Sequence, residues 1–204
     1  MRTPSGGGSL TIADPELTPA DRAALLGLAR ATLAAHLAGR PLPPVPAVSG
    51  AALQRGAFVT ITERGALRGC IGHIAADRGL GAVVREMTVA AAQEDPRFAP
   101  VEPDELPHLA LEISVLSQPT LLPPPIEPAQ VVVGRDGLVV RRGRHIGLLL
   151  PQVATEQRWG PEAFLVAACR KAGLPPHVWR EPETEVFTFE AEVFGEAGGK
   201  AAER

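Results

Sequence analysis

The densest concentration of chemically capable residues is the run Leu67-Arg68-Gly69-Cys70-Ile71-Gly72-His73. A cysteine attacks as its thiolate, and residues two apart along a regular strand share a face, so Arg68 is placed to lower the pKa of Cys70. Gly69 and Gly72 weaken the strand and admit a ligand or a second backbone, which would leave N–H groups open to an anionic intermediate. The same alternation puts His73 on the opposite face and disfavours it as the base. A purely structural reading stays open beside this one: Cys70 as a small core hydrophobe, the glycines marking a bulge.

Four further polar residues stand in apolar or rigid company. Asp95-Pro96-Arg97-Phe98 sets opposite charges two residues apart at a helix exit, where Asp95 and Arg97 either pair with each other or hold a ligand. Glu112 sits in the middle of a strand, and Gln152 follows the apolar end Leu150-Pro151. Left buried and unpaired, each would cost on the order of 1–3 kcal/mol. Arg68, Asp95, Arg97, Glu112 and Gln152 are therefore expected to converge near Cys70. In this scheme Cys70, Arg68 and Glu112 form the catalytic group, Glu112 or a histidine from the second half of the chain moving the proton, while Gly69, Gly72, Asp95, Arg97 and Gln152 hold the ligand.

Other chemistries find less support. Cys70-x-x-His73 has the spacing of half a zinc site, but no second tight pair completes it, so no metal is expected. There is no phosphate loop with its Lys-Ser/Thr ending and no Ser-centred elbow. The basic run from Arg135 to His145 reads either as a solvated hairpin or as an anion-binding patch.

Several elements must position these residues. Thr18 with Pro19 and Asp21 starts a helix whose apolar positions Leu25, Leu28, Leu33 and Leu37 recur at helical spacing until Gly39. Phe58–Thr62 and Ala66–Ile71 flank Glu63-Arg64-Gly65 at hairpin spacing. A helix carrying Val83, Val84 and Met87 must end before Asp95-Pro96. Leu109, Leu111, Ile113 and Val115 alternate with Glu112 on the other face. After the prolines at 119, 123, 124, 125 and 128, the segments 131–133, 138–142 and 146–150 read as a strand meander. A helix from Pro161 to Gly173 and a final strand, Val186 to Phe194, complete the chain, with Phe187, Phe189, Ala191 and Val193 on one face.

Hairpins outnumber β-helix-β alternation, so the fold class is α+β with mainly antiparallel sheets and flanking helices. Residues 17–194 are expected to form one domain of two unequal subdomains, about 56–118 in the first and 17–55 with 129–194 in the second, between flexible tails 1–16 and 195–204. The chain has 204 residues, 45% hydrophobic and 21% charged, with net charge −3 and no Tyr. That composition supports a core and offers nucleic acid neither bulk charge nor stacking surface, so no nucleic-acid partner is expected. The most apolar helical stretch, Ala23–Ala38, is interrupted by Arg30 and His36 and falls short of the roughly 20 residues that span a bilayer. Two cysteines form no disulfide framework, and the amino terminus has no signal-peptide pattern; the expected location is cytoplasmic.

Taken in order, the blocks Phe58-Val59-Thr60, Leu67-Arg68-Gly69-Cys70-Ile71-Gly72, Asp95-Pro96-Arg97-Phe98, Leu111-Glu112-Ile113-Ser114-Val115, Gly134-Arg135-Asp136-Gly137-Leu138, Gly147-Leu148-Leu149-Leu150-Pro151-Gln152 and Cys169-Arg170-Lys171-Ala172-Gly173 resemble the AMMECR-one domain family, in its prokaryotic form. The resemblance covers nearly the whole folded chain. It implies an α+β fold of two unequal subdomains and a site in a cleft near Arg68-Gly69-Cys70-Ile71-Gly72. Prokaryotic members, of the AmmeMemoRadiSam-system protein A type, are often encoded beside a Memo-like protein and a radical S-adenosylmethionine enzyme, which implies those two as partners. The resemblance supplies no reaction and no cofactor. Two functions remain in view: an enzyme using Cys70, or a non-catalytic module that docks onto those partners or holds a peptide or small molecule.

Overall fold

The computed structural model describes residues 16–196. Its first helix, α1 (Pro19–Leu37), opens on a reciprocal cap. The Thr18 hydroxyl accepts from the Asp21 N–H at 3.1 Å, and the Asp21 carboxylate accepts from the Thr18 N–H at 3.0 Å. The same carboxylate accepts from the Gly50 N–H at 2.8 Å and so pins the short helix α2 (Ser49–Ala52) against the start of α1. The capping bonds hold the Asp21 carboxyl below the usual carboxylate range.

The predicted hairpin is β1 (Ala57–Glu63) and β2 (Ala66–His73), joined through Arg64 and Gly65 at positive φ. Helix α3 (Leu80–Gln93) follows, then a 3₁₀ turn (Pro103–His108), β3 (Leu109–Leu116) and the two-residue strand β4 (Thr120–Leu121). The second half holds β5 (Asp136–Arg142), β6 (His145–Leu149), α4 (Pro151–Glu156), α5 (Pro161–Lys171) and β7 (Glu185–Gly195). All strand pairs are antiparallel, in the order β2-β1-β3-β7-β5-β6, with β4 added to β7. The fold is α+β, as the sequence pattern requires.

The long last strand makes the sheet continuous. Glu185–Glu190 of β7 pair with β5, and Ala191–Gly195 pair with β3. Val186 enters a core with Phe164, Leu165, Ala168 and Trp179, whereas Phe194 packs on a core built from α1, α3, β1 and β3. Val186 and Phe194 lie on the same face of β7 by period two, so the helices of both halves cover one face of the curled sheet. The opposite face carries a smaller cluster, Leu116, Val139 and Phe189, on which Phe58 and Ile74 pack from one half and Leu148, Leu150 and Phe187 from the other.

Three details differ from the sequence reading. Helix α1 packs chiefly with the first half of the chain and meets the 129–194 segment only near the end of β7, where Arg22 pairs with Glu192. Its buried face packs in the first core with α3 and β3, and Arg30 binds both the Leu109 carbonyl, at 2.8 Å, and Glu196. Residues 131–133 are no strand: the Val132 N–H is taken by the Asp136 carboxylate at 2.8 Å, and the chain turns through Gly134 at φ 91°. Leu150 leaves the meander to become the residue before α4, because Pro151 suits a first helical position. The tails expected at 1–16 and 195–204 fall almost wholly outside the described residues.

Candidate functional site

Cys70 lies on the helix-free face of the sheet. Its cross-strand neighbour on β1 is Thr60, and Thr60 in turn faces Glu112 on β3. The three side chains form a row across adjacent strands on a face that is half open to solvent. The Thr60 hydroxyl donates to the Cys70 sulfur at 3.3 Å.

The Asp95-Pro96-Arg97 segment closes the free edge of β2 at the same residue. Asp95, its side chain 2% exposed, accepts the Cys70 N–H at 2.9 Å. It also accepts from Arg97 Nε at 2.8 Å and Nη2 at 2.5 Å, so the predicted pairing of the two charges holds. Arg97 Nη2 reaches on to the Cys70 carbonyl at 3.4 Å, and its guanidinium lies 5.4 Å from the Phe98 ring centre. The Arg97 guanidinium holds the Asp95 carboxyl far below the usual carboxylate range, despite the burial that opposes its charge.

Arg68 is elsewhere. Ile61 pairs with Gly69 and Thr62 with Leu67, so Arg68 is the extra residue of a β-bulge. The bulge puts Leu67, not Arg68, on the face of Cys70. The Arg68 fork instead takes Glu105 at 2.7 and 2.9 Å and the carbonyls of Ala99 and Pro100 at 2.8 and 3.1 Å. Arg68 ties the 3₁₀ turn to β2, and its guanidinium is engaged there rather than with the thiol. Burial is the largest influence on Cys70 and pushes its pKa up. The Thr60 hydroxyl and Arg97 pull it back, while Asp95 and Glu112 add to the rise.

The two glycines serve packing. A Cβ on Gly69 would come within 2.1 Å of the Ala91 carbonyl oxygen of α3, and one on Gly72 within 2.2 Å of the Phe58 ring. Gly69 admits the helix and Gly72 the ring, so close packing accounts for the absence of a side chain at both positions. Gln152 lies in the first turn of α4, where its carbonyl accepts from the Thr155 hydroxyl at 2.8 Å. Of the residues proposed from sequence, the structure gathers Cys70, Asp95, Arg97 and Glu112, and it assigns Arg68 and Gln152 to other contacts. Sequence reasoning missed Thr60 and Glu105. Thr60 follows once the hairpin register is known. Glu105 is signalled only by Glu102-Pro103-Asp104-Glu105, a helix start in which Glu105 also accepts the Glu102 N–H at 2.7 Å.

Other parts of the surface are more self-contained. Three arginines of the basic run are paired, Arg135 with Asp136 at 2.7 Å, Arg141 with Glu185 at 2.6 Å and Arg142 with Glu181 at 2.5 Å. His73 pairs with Asp77 at 2.8 Å. Two adjoining cavities of about 410 Å³ each flank the proline-rich connection, sharing Pro125, Ile126 and Arg180, and Cys70 lines neither. Among the described residues no group of three or more His, Cys, Asp or Glu side chains is placed to hold a metal, and no helix is long and apolar enough to cross a membrane.

Fold and site together define an α+β domain with a continuous antiparallel sheet, helices on one face and a cysteine-centred row on the other. The AMMECR1 family model matches residues 26–194, and the chain belongs to that family. It is similar to a Methanothermobacter thermautotrophicus protein, 48% identical over 148 residues that cover 71% of this chain and 77% of that one. It is also similar to Pyrococcus furiosus protein PF1979, 41% identical over 181 residues that cover 84% and 86% of the two chains. The crystal structure of the uncharacterized Pyrococcus horikoshii protein PH0010 superposes with a TM-score of 0.79 at 38% identity, covering 85% of this chain and 90% of that one.

The environment of the thiol makes a first prediction. Burial disfavours the thiolate, so the rate of Cys70 alkylation should climb about tenfold per pH unit through the ordinary cysteine range without levelling off near neutrality. Cys169, 0% exposed, should react only on unfolding. Iodoacetamide labelling of the folded chain, read by mass spectrometry at each site, measures both.

Proposed function

We propose that this chain is a binding module that receives a partner protein on the helix-free face of its sheet, beside the Cys70–Thr60–Glu112 row. The observation that carries this reading is the state of the site. Burial pushes the thiol's pKa up, Arg68 is bound to Glu105, and the space beside Gly69 and Gly72 is filled by packing. The face next to the row offers partly exposed apolar groups, Phe58, Leu148, Leu150 and Phe187, together with Val193 at 40% exposure. A shallow apolar face with a polar margin suits docking more than it suits chemistry on a small molecule. The partners that family membership suggests are a Memo-like protein and a radical S-adenosylmethionine enzyme, with the chain acting beside them in the cytoplasm.

Calorimetric titration of each of those two proteins into the full chain tests the reading. Val193→Glu should weaken binding by about tenfold or more, the scale of a contact near the centre of an interface. Leu42→Glu, equally exposed at 40% but in the Pro41-Leu42-Pro43-Pro44 segment that follows α1, should leave it unchanged. Binding of neither protein, or equal affinity of the two variants, would overturn the assignment.

A second reading is favoured by one specific observation, the Thr60 hydroxyl between the thiol and the Glu112 carboxylate in register. The hydroxyl, donating to sulfur, would stabilise a thiolate, and Glu112, next in the row, is the carboxylate that would take the thiol proton when a substrate is bound. An alkylation midpoint near neutrality would select this reading over the docking one.

A further inference from the structure

Going beyond the docking reading, we propose that the Asp95–Arg97 pair is the positioning and charge-control element of Cys70: clasped to the free edge of β2, it fixes the backbone at residue 70 and sets the reactivity of the thiol.

The geometry is that of a strand edge occupied by side chains. β2 pairs only with β1, so the outward N–H and C=O of Cys70 are the groups a further strand would take. Here the Asp95 carboxylate takes the N–H at 2.9 Å, and Arg97 Nη2 approaches the carbonyl at 3.4 Å. The two charges are held to each other at 2.5 Å, and therefore act on one sulfur from one fixed place. Their effects have opposite sign. Arg97 favours the thiolate, whereas Asp95 opposes it, and Glu112 from β3 opposes it too. The remaining neighbour is the Thr60 hydroxyl from β1, which favours the charged form by donating to sulfur. Two carboxylates against one guanidinium, with burial added, push the thiol's pKa up.

The pair is also asymmetric in exposure. Asp95 is 2% exposed and fixed in the protein, while Arg97 is 54% exposed. Arg97 is therefore the member of the group that a docked protein can reach. A partner carboxylate drawn onto Arg97 would weaken its pull on the thiol, whereas a partner that covers it without pairing would strengthen that pull by excluding water.

The test is the full pH–rate profile of iodoacetamide alkylation at Cys70 in the intact chain, for Asp95→Asn, Arg97→Gln and Glu112→Gln. Removing a carboxylate should move the midpoint down, and removing the guanidinium should move it up. At about pH 8 the expected rates are about three- to tenfold faster for Asp95→Asn and Glu112→Gln, and slower by a similar factor for Arg97→Gln. A merely structural role loosens the strand edge in either loop variant, which raises the limiting rate at high pH in both and leaves the midpoints in place. Midpoints that stay fixed, or that shift in the same direction for Asp95→Asn and Arg97→Gln, would overturn the proposal. Should Asp95→Asn fail to fold, the opposed shifts of Arg97→Gln and Glu112→Gln decide it alone. The docking reading is judged separately by the Val193→Glu titration, so opposed midpoints with unaltered binding would leave charge control standing and remove the docking face.

Discussion

Gly69→Ala should destabilise the protein by about 3 kcal/mol, at the upper end of overpacking effects, and lower its melting temperature by roughly 6–12 °C at about 2–4 °C per kcal/mol. The added methyl would stand 2.1 Å from the Ala91 carbonyl oxygen and 3.1 Å from its carbonyl carbon. Both are main-chain atoms of α3, and that helix brings Val83, Val84 and Met87 into the first core. It cannot retreat from β2 without opening that core. Gly72→Ala provides the comparison, because there the methyl meets the Phe58 ring, a partly exposed side chain that can turn away. Its cost should be clearly smaller, with the change felt on the helix-free face instead. Urea unfolding of both variants measures the difference. A Gly69→Ala protein of unchanged stability would return this glycine to the role its sequence suggests, a strand position cleared for a ligand.

That glycine shows how sequence and structure divide the information. A Gly-x-x-Gly bracket around a cysteine announces close approach by something, and the pattern does not say what approaches. A helix and a phenyl ring are the answers here, and both come from contacts distant in sequence. The cap at Thr18 and Asp21 was legible because every atom in it lies within one helical turn. The alternation of β3 was legible because its odd-numbered residues Leu109 to Val115 are nearly all excluded from water while Glu112 is not. The glycines signalled a bulge, but that Arg68 is its extra residue was not legible, since a shift of register between Ile61 and Thr62 belongs to two strands at once. One inserted residue was enough to carry Arg68 away from the thiol and onto Glu105, 37 positions along the chain. Asp95 and Arg97 were open to two readings, pairing or site. The structure shows that they pair, and that the pair sits on the backbone of Cys70. Gln152 was misplaced for a local reason: Pro151 starts a helix rather than ending a strand.

Phe189→Ala should cost about 3 kcal/mol or more, within the range for emptying a buried aromatic site, and the loss should appear in both halves of the molecule. Phe189 is 3% exposed, its ring lies over Gly137, and it forms a cluster with Leu116 of β3 and Val139 of β5. It thus packs where β7 passes from pairing with β5 to pairing with β3. Two core clusters on one face of a shared strand have no cheap way to unfold apart: releasing β7 from either neighbour removes hydrogen bonds and exposes apolar surface in the other. Arg22, ion-paired with Glu192 at 2.5 Å, and Arg30, hydrogen-bonded to Glu196, add α1 to the same unit. Native-state hydrogen exchange gives the readout. Amides of Val59 and Ile113 in the first core, and of Leu138 and Val140 in the second, should lose protection together and by the same free energy in the variant. Loss confined to Leu138 and Val140 would mean that the halves open independently, and that the proline-rich connection around 119–128 separates two cooperative units in spite of the strand that joins them.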